Sequence, residues 1–245
     1  MSESSNNLTD GSLLAKNMLY SFVGYAFPTL AAIFSIPILI NALGTDGFGV
    51  LTLAWMVTGY FSLLDLGVGR ALTKLLSEKL GRDDVEGVPD LIWTALMLTT
   101  LLGLLGSLLI SLASSTLVHD VFKIPSALHD DVEKSFYILA ISVPIVISVS
   151  ALRGILESYQ RFDLINIVRV PIGSLTFLGP LLVLPFSVKL SHIVIALVVV
   201  RLLEWVITFS FCIRVVPEML KNIRVQYSYI GIFLIFGGWM TVSNI

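Results

Sequence analysis

Of the 245 residues, 56% are hydrophobic and 13% are charged, roughly half the charged share of a soluble chain. No water-soluble core absorbs that much apolar surface, so the chain is of the membrane class. The net charge of −2 carries little, because placement of charge outweighs its sum in a bilayer, and nothing marks nucleic acid as a partner. The single cysteine, Cys212, excludes a disulfide framework and a cysteine metal cluster.

Residues 1–17 read as a polar cytoplasmic leader with Lys16 as its only cation. It lacks the basic start, short apolar core and small-residue cleavage site of a secretory signal, so the first apolar span is expected to remain as an anchor. The Asn7-Leu8-Thr9 acceptor is discounted because the topology below places it in the cytoplasm. Span one, residues 18–43, carries Pro28 and Pro37, which leave carbonyls unpaired and bend the helix, so it should face other helices. Gly44-Thr45-Asp46-Gly47 lacks the lysine and hydroxyl residue of a phosphate cradle and reads as a tight turn into span two, residues 48–68. Leu72, Leu75, Leu76 and Leu80 then alternate with Lys74, Glu78 and Lys79 at helical spacing, predicting an amphipathic helix along the inner surface that Gly81 ends.

Span three, residues 91–118, runs 28 residues without a charge, more than a hydrocarbon core of about 30 Å requires. Gly103, Ser107, Ser111 and Ser115 recur every fourth residue along it, and that ridge of small side chains predicts close approach of a neighbouring helix. A polar loop, 119–134, leads to span four, 136–152, bent at Pro144. A second polar connection, 153–169, precedes span five, 170–188, with Pro171, Pro180 and Pro185. Span six, 190–213, and a seventh apolar run, 227–245, follow. The expected fold is therefore an all-α, polytopic membrane helix bundle. Residues 18–226 form one six-helix lobe, and 227–245 open a second.

Lysines and arginines in alternate loops number eleven on one side and three on the other. By the positive-inside rule the amino terminus lies in the cytoplasm. After six spans the chain is back on its starting side, and FVGYAFPT at 22–29 aligns loosely with FGGWMTVS at 236–243, as expected if a second like unit begins near residue 230.

Arg201 sits near the middle of span six, where a charge costs about 2.5–3.5 kcal/mol on insertion scales and marks function by default. Glu204 shares its helical face and offers the plainer alternative of a buried structural pair. Asp65 lies in the cytoplasmic third of span two, with Arg70 near the membrane surface. These two gate the inner opening or pair with Arg153 at the end of span four, although positive-inside anchoring explains Arg70 and Arg153 equally well. Arg201, Glu204, Asp65, Arg70 and Arg153 are the candidate substrate-binding residues. Tyr25, Trp55 and Tyr60 are of a type that stacks on sugars, with helix packing the commoner role. Trp93 reads as an interface anchor. His119, His129 and His192 fall in predicted loops as solvated residues without partners at ligand spacing. No Ser/His/Asp, metal or nucleotide motif is present, and the 16-residue loop 119–134 is short for a membrane glycosyltransferase, so an enzyme is not expected.

The run from Leu39 to Arg82, with its short glycine turn and the Asp65-Leu66-Gly67 triplet, resembles the amino-terminal half of bacterial Wzx-type oligosaccharide flippases. So do 152–169, containing Gln160-Arg161-Phe162 and Asn166, and Phe236-Gly237-Gly238-Trp239. These belong to the multidrug, oligosaccharidyl-lipid and polysaccharide exporter superfamily, whose members pair two six-helix lobes about a central cavity. The resemblance implies turnover of undecaprenyl-pyrophosphate-linked oligosaccharide across the bacterial inner membrane for O-antigen or polysaccharide synthesis, by alternating access through a partly cationic cavity. It implies membrane lipids, the second lobe of the transporter, and polymerase and chain-length proteins as partners. No cofactor is expected, with a coupling proton or sodium ion left open. The alternative is a cation-coupled multidrug exporter of the same superfamily, in which Asp65 or Glu204 would carry the ion.

Overall fold

A computed structural model describes residues 11–61, 65–122, 124–221 and 223–242, with the side chains of 11–25, 60–61, 120, 127 and 240–242 left aside. Asn7, Lys16 and the rings of Tyr25 and Tyr60 lie outside the described set, as do several positions of the 22–29 and 236–243 comparison. Every regular element described is helical: α1 (Gly11–Phe61), α2 (Val68–Leu80), α3 (Val88–Thr116), α4 (His129–Ser158), α5 (Phe162–Val183), α6 (Leu190–Val215) and α7 (Tyr227–Val242). Five segments are long and apolar enough to cross a bilayer: Ala26–Gly59, Val88–His119, His129–Ser158, Phe162–Val183 and Leu190–Val215. The protein is a multi-pass helical membrane bundle.

Helix α1 is broken at Gly44, whose φ of 71° and ψ of 174° no helix contains. Pro28 and Trp55 are 27 residues apart, about 40 Å in an unbroken helix. Yet a Cβ on Gly173 would lie 2.7 Å from Pro28, and the Trp55 ring meets Phe177 at 5.1 Å. Those two partners are one helical turn apart on α5, about 6 Å, so the chain doubles back at Gly44 and both arms descend beside α5.

Several helices are longer than their apolar runs. Helix α4 starts at His129 and α5 at Phe162, with Asp130, Asp131 and Asp163 in their first turns. Carboxylates there meet the positive end of the helix dipole, so the expected polar loops are partly helix. The connection from α4 to α5 shrinks to Tyr159, Gln160 and Arg161, with Gln160 at φ 55°. Helix α5 ends at Val183, short of residue 188, because Pro185 cannot donate the next helical hydrogen bond.

Helix α2 ends at Gly81, as expected. It is amphipathic at the surface of the bundle, with Val68, Gly69, Ala71, Leu72 and Leu76 buried among α3, α4 and α7 and Arg70, Lys74, Ser77 and Glu78 exposed. A Cβ on Gly69 would fall 2.8 Å from the Ser150 carbonyl oxygen, and one on Gly154 would fall 2.6 Å from that of Gly69, so two glycines set the α2–α4 crossing.

The α3–α4 interface uses the small-residue ridge only in part. Gly103 lies against Pro144, where a Cβ would be 2.4 Å from its Cα. Beyond it the buried positions are Gly106, Ser114 and Val118, while Ser115 is exposed. A strict four-residue step overshoots the 3.6-residue turn by about 40° each time, so the ridge winds out of the contact.

Two apolar cores form the ends of the bundle. One joins α2, the start of α3 and the ends of α4 and α6 with Phe233 of α7. The other gathers Leu39, Val50 and Leu51 beside the Gly44 turn with Val118, Phe136, Leu190 and Ile193. The ionisable cluster described next lies between them.

Candidate functional site

Arg201 stands eleven residues into α6, about 17 Å from its start and at mid-depth of a hydrocarbon layer. Its Nη1 donates to Oε2 of Glu204 at 2.9 Å, the expected pair on one helical face. The other oxygen, Oε1, accepts from Nη2 of Arg153, which reaches inward from α4, five residues before that helix ends. Arg153 is therefore neither a loop residue nor a plain surface anchor. One of its guanidinium nitrogens reaches Glu204, while the side chain as a whole stays partly exposed.

The cluster sums to +1. Glu204 is buried, its side chain 3% exposed, whereas those of Arg201 and Arg153 are 24% and 39% exposed. A buried carboxylate between two guanidinium groups is the arrangement that offsets its desolvation. The surplus positive charge consequently faces outward from the pair of arginines. Trp205 Nε1, donating to Ser148 Oγ at 2.9 Å, braces α6 against α4 beside the cluster.

Arg201 borders a small, partly open recess of about 10 Å³ lined by Trp55, Thr58, Leu139, Ser142, Thr176, Leu197 and Val198. The hydroxyls of Thr58, Ser142 and Thr176 donate to the Ala54, Leu139 and Ile172 carbonyls at 2.8, 2.7 and 2.9 Å. Their protons thus engaged, these hydroxyls offer oxygen lone pairs to anything that enters. Trp55 Nε1 is buried and finds no acceptor among the described residues. The recess therefore combines acceptors, an unpaired indole donor and a guanidinium, a set that matches hydroxyl groups, which both donate and accept.

Asp65 and Arg70 do not join this cluster. The expected Asp65–Arg153 pair is not formed. The Asp65 carboxylate accepts the backbone N–H groups of Gly67 and Gly69, at 2.9 and 3.3 Å, and holds the turn into α2. Arg70 is exposed on the outer face of α2. Trp93 donates to the Met219 carbonyl at 2.7 Å and pins the turn after α6. His119 and His129 meet edge to face at 4.5 Å, each on a backbone carbonyl, and His192 bonds the Ser187 hydroxyl. Among the described residues no three potential ligands gather as a metal site.

Sequence reasoning missed Thr58, Ser142, Thr176 and Arg169, the last counted as a loop cation but standing within α5. The signal was available for Arg169, since Ile165, Val168 and Ile172 continue the apolar helical period across it. Single hydroxyl residues in apolar helices carry no comparable mark.

A family model, MatE, matches residues 22–172. A Shigella flexneri protein named "Putative O-antigen transporter" is 30% identical over 233 residues, 95% of this chain and 54% of that relative. The chain thus spans about half the length of the curated relative it matches. No solved structure matches it significantly. The resemblance carried by the glycine turn, the Asp65 triplet and the 152–169 run agrees with both sequence matches. With that match running from α1 into α5 and every regular element described being helical, the chain belongs to the MatE family.

Proposed function

We propose that the chain serves translocation of an undecaprenyl-pyrophosphate-linked oligosaccharide from the cytoplasmic to the periplasmic leaflet of the bacterial inner membrane, by alternating access. The observation that carries the reading is the Arg201–Glu204–Arg153 cluster, a net +1 at mid-depth beside a recess of hydroxyls and an unpaired indole N–H. An anionic diphosphate bearing a glycan is hard to move through hydrocarbon. Fixed cations and hydroxyl-matching groups lower that barrier. The name of the Shigella flexneri relative supports the same substrate class.

In this reading spans one to six form one lobe with the amino terminus in the cytoplasm, and α7 leads into a second. The lobes rock about proline-bent helices α1, α4 and α5. Lipid-linked glycan, membrane lipids, the second lobe and glycan polymerase or chain-length proteins are its partners, with a proton or sodium ion as the coupling candidate. The multidrug-exporter alternative is less well supported, because both oxygens of Glu204 are occupied by guanidinium groups and those of Asp65 by backbone N–H groups.

The test is Arg201→Gln in cells whose glycan export depends on this gene. Export is lost while protein level in the membrane is unchanged. Export at the wild-type rate overturns the proposal.

A further inference from the structure

We infer that the connection from α6 to α7 is a docking surface for anionic phospholipid: Leu220, Ile223 and Tyr227 enter the acyl boundary, and Lys221 and Arg224 meet the headgroup phosphates. This surface lies outside the Arg201 cluster, and the inference does not depend on the function proposed above.

Hydrogen bonds to α3 fix the depth of the connection. Trp93 Nε1 donates to the Met219 carbonyl at 2.7 Å, and the Gln226 N–H donates to the Thr94 hydroxyl at 3.0 Å. That hydroxyl in turn donates to the Asp90 carbonyl at 2.6 Å. Asp90 is the last charge before the uncharged run 91–118, and Trp93 and Thr94 lie in the first turn of that run. Met219 and Gln226 are therefore tethered at the level where α3 passes from polar to apolar surroundings. In a bilayer that level is the headgroup boundary. Val216 and Met219 are buried in the core, so one face of the connection is already used by the bundle.

The other face is not. Leu220, Ile223 and Tyr227 are 51%, 65% and 79% exposed, and Arg214, Lys221 and Arg224 are exposed with them. Among the described residues neither Lys221 nor Arg224 forms an ion pair. Glu218 is the one acid from 214 to 227, which leaves that stretch at +2. Large apolar side chains interleaved with cations at this depth match an acidic membrane surface, where the apolar groups leave water and each cation meets a phosphate.

The neighbouring loop shows that charge decides the occupant. Val85, before the start of α3, is 70% exposed, but residues 82–86 sum to −2. Anionic headgroups repel that loop and attract the α6–α7 connection, although both stand at the same end of α3.

The experiment places a single fluorophore on Ile223→Cys, or on Val85→Cys as the comparison, in the full chain with the buried Cys212 replaced by alanine. The protein is held in phosphatidylcholine nanodiscs. Phosphatidylglycerol or phosphatidylcholine carrying a spin label near the top of the acyl chain is the quencher. At position 223 spin-labelled phosphatidylglycerol reaches half-maximal quenching at a mole fraction lower by about fivefold for each cation engaged. At position 85 it has no advantage over phosphatidylcholine. Lys221→Gln with Arg224→Gln removes the preference at 223, whereas Lys221→Arg with Arg224→Lys keeps it and shows that the fold is intact. Absence of quenching at 223 by either lipid overturns the docking. Equal quenching at 223 by both lipids, or the same phosphatidylglycerol preference at 85, overturns the anionic specificity.

Discussion

Gly67 and Gly237 meet backbone to backbone: a Cβ on Gly67 would fall 2.4 Å from the Gly237 carbonyl oxygen. One on Gly237 would fall the same 2.4 Å from that of Leu66. Two glycine motifs 170 residues apart thus form one seam between the α2 turn and α7. Gly67 holds φ at 71°, and Lys74 Nζ lies 3.9 Å over the Phe236 ring along the same seam.

Gly67→Ala meets both a left-handed backbone and a carbonyl in the way, and overpacking of this kind costs about 1–3 kcal/mol. Gly237→Ala meets only the contact and costs less. Thermal unfolding of the purified protein in detergent checks the order, with Gly67→Ala melting lowest. An unchanged melting temperature for both variants shows that the seam yields freely.

Asp131 of α4 caps a helix that is not its own. Its carboxylate accepts the backbone N–H groups of Leu190 and Ser191 at 2.6 and 3.3 Å and the Ser191 hydroxyl at 2.5 Å. Asp131→Ala leaves the first turn of α6 uncapped and costs about 0.5–2 kcal/mol. Amide exchange at Leu190 and Ser191 should quicken while exchange near Val215 is unaffected. Equal exchange at both ends of α6 contradicts this role.

Glu204→Gln removes the only carboxylate between two guanidinium groups. Breaking a buried pair costs about 3 kcal/mol at the low end of the observed range, and the partial exposure of both arginines places this cluster there. The double variant Glu204→Gln with Arg201→Gln recovers part of the loss. A double-mutant cycle on melting temperatures measures the coupling, and additive losses mean that the pair is not coupled.

Between α2 and α3, Lys79 Nζ bonds Asp84 Oδ2 at 2.6 Å and the Glu86 carbonyl at 2.7 Å. The hydrogen bond from Lys79 holds the Asp84 carboxyl below the usual carboxylate range. A depressed folded-state pKa contributes stability above the unfolded pKa and loses it as pH falls through the folded value. The protection of the 82–86 amides relative to their intrinsic exchange rates therefore falls on acidification below the ordinary aspartate range and is level above it. Lys79→Met flattens the profile throughout, and a variant that keeps the wild-type profile removes Lys79 as the cause.

The membrane bundle was legible because uncharged runs as long as 91–118 have one stable environment. Helix ends were less so, since Asp130, Asp131 and Asp163 read as loop residues but sit where the helix dipole favours them. Arg201 and Glu204 were legible as a local pair three residues apart. Arg153 was not, because its contact with Glu204 crosses 51 residues of chain, and long-range contacts leave no mark in spacing. The Asp65 turn shows the converse: an acid near a membrane surface read as a partner for a distant cation, when the N–H groups two and four residues on were closer.

The reversal at Gly44 also constrains how the protein is made. With four residues between two apolar arms, neither arm has a hydrophilic stretch on the far side to pull it across the bilayer alone. The two are delivered into lipid as one hairpin unit, and the turn leaves a proteolytic enzyme or an inserted epitope almost no chain to grasp.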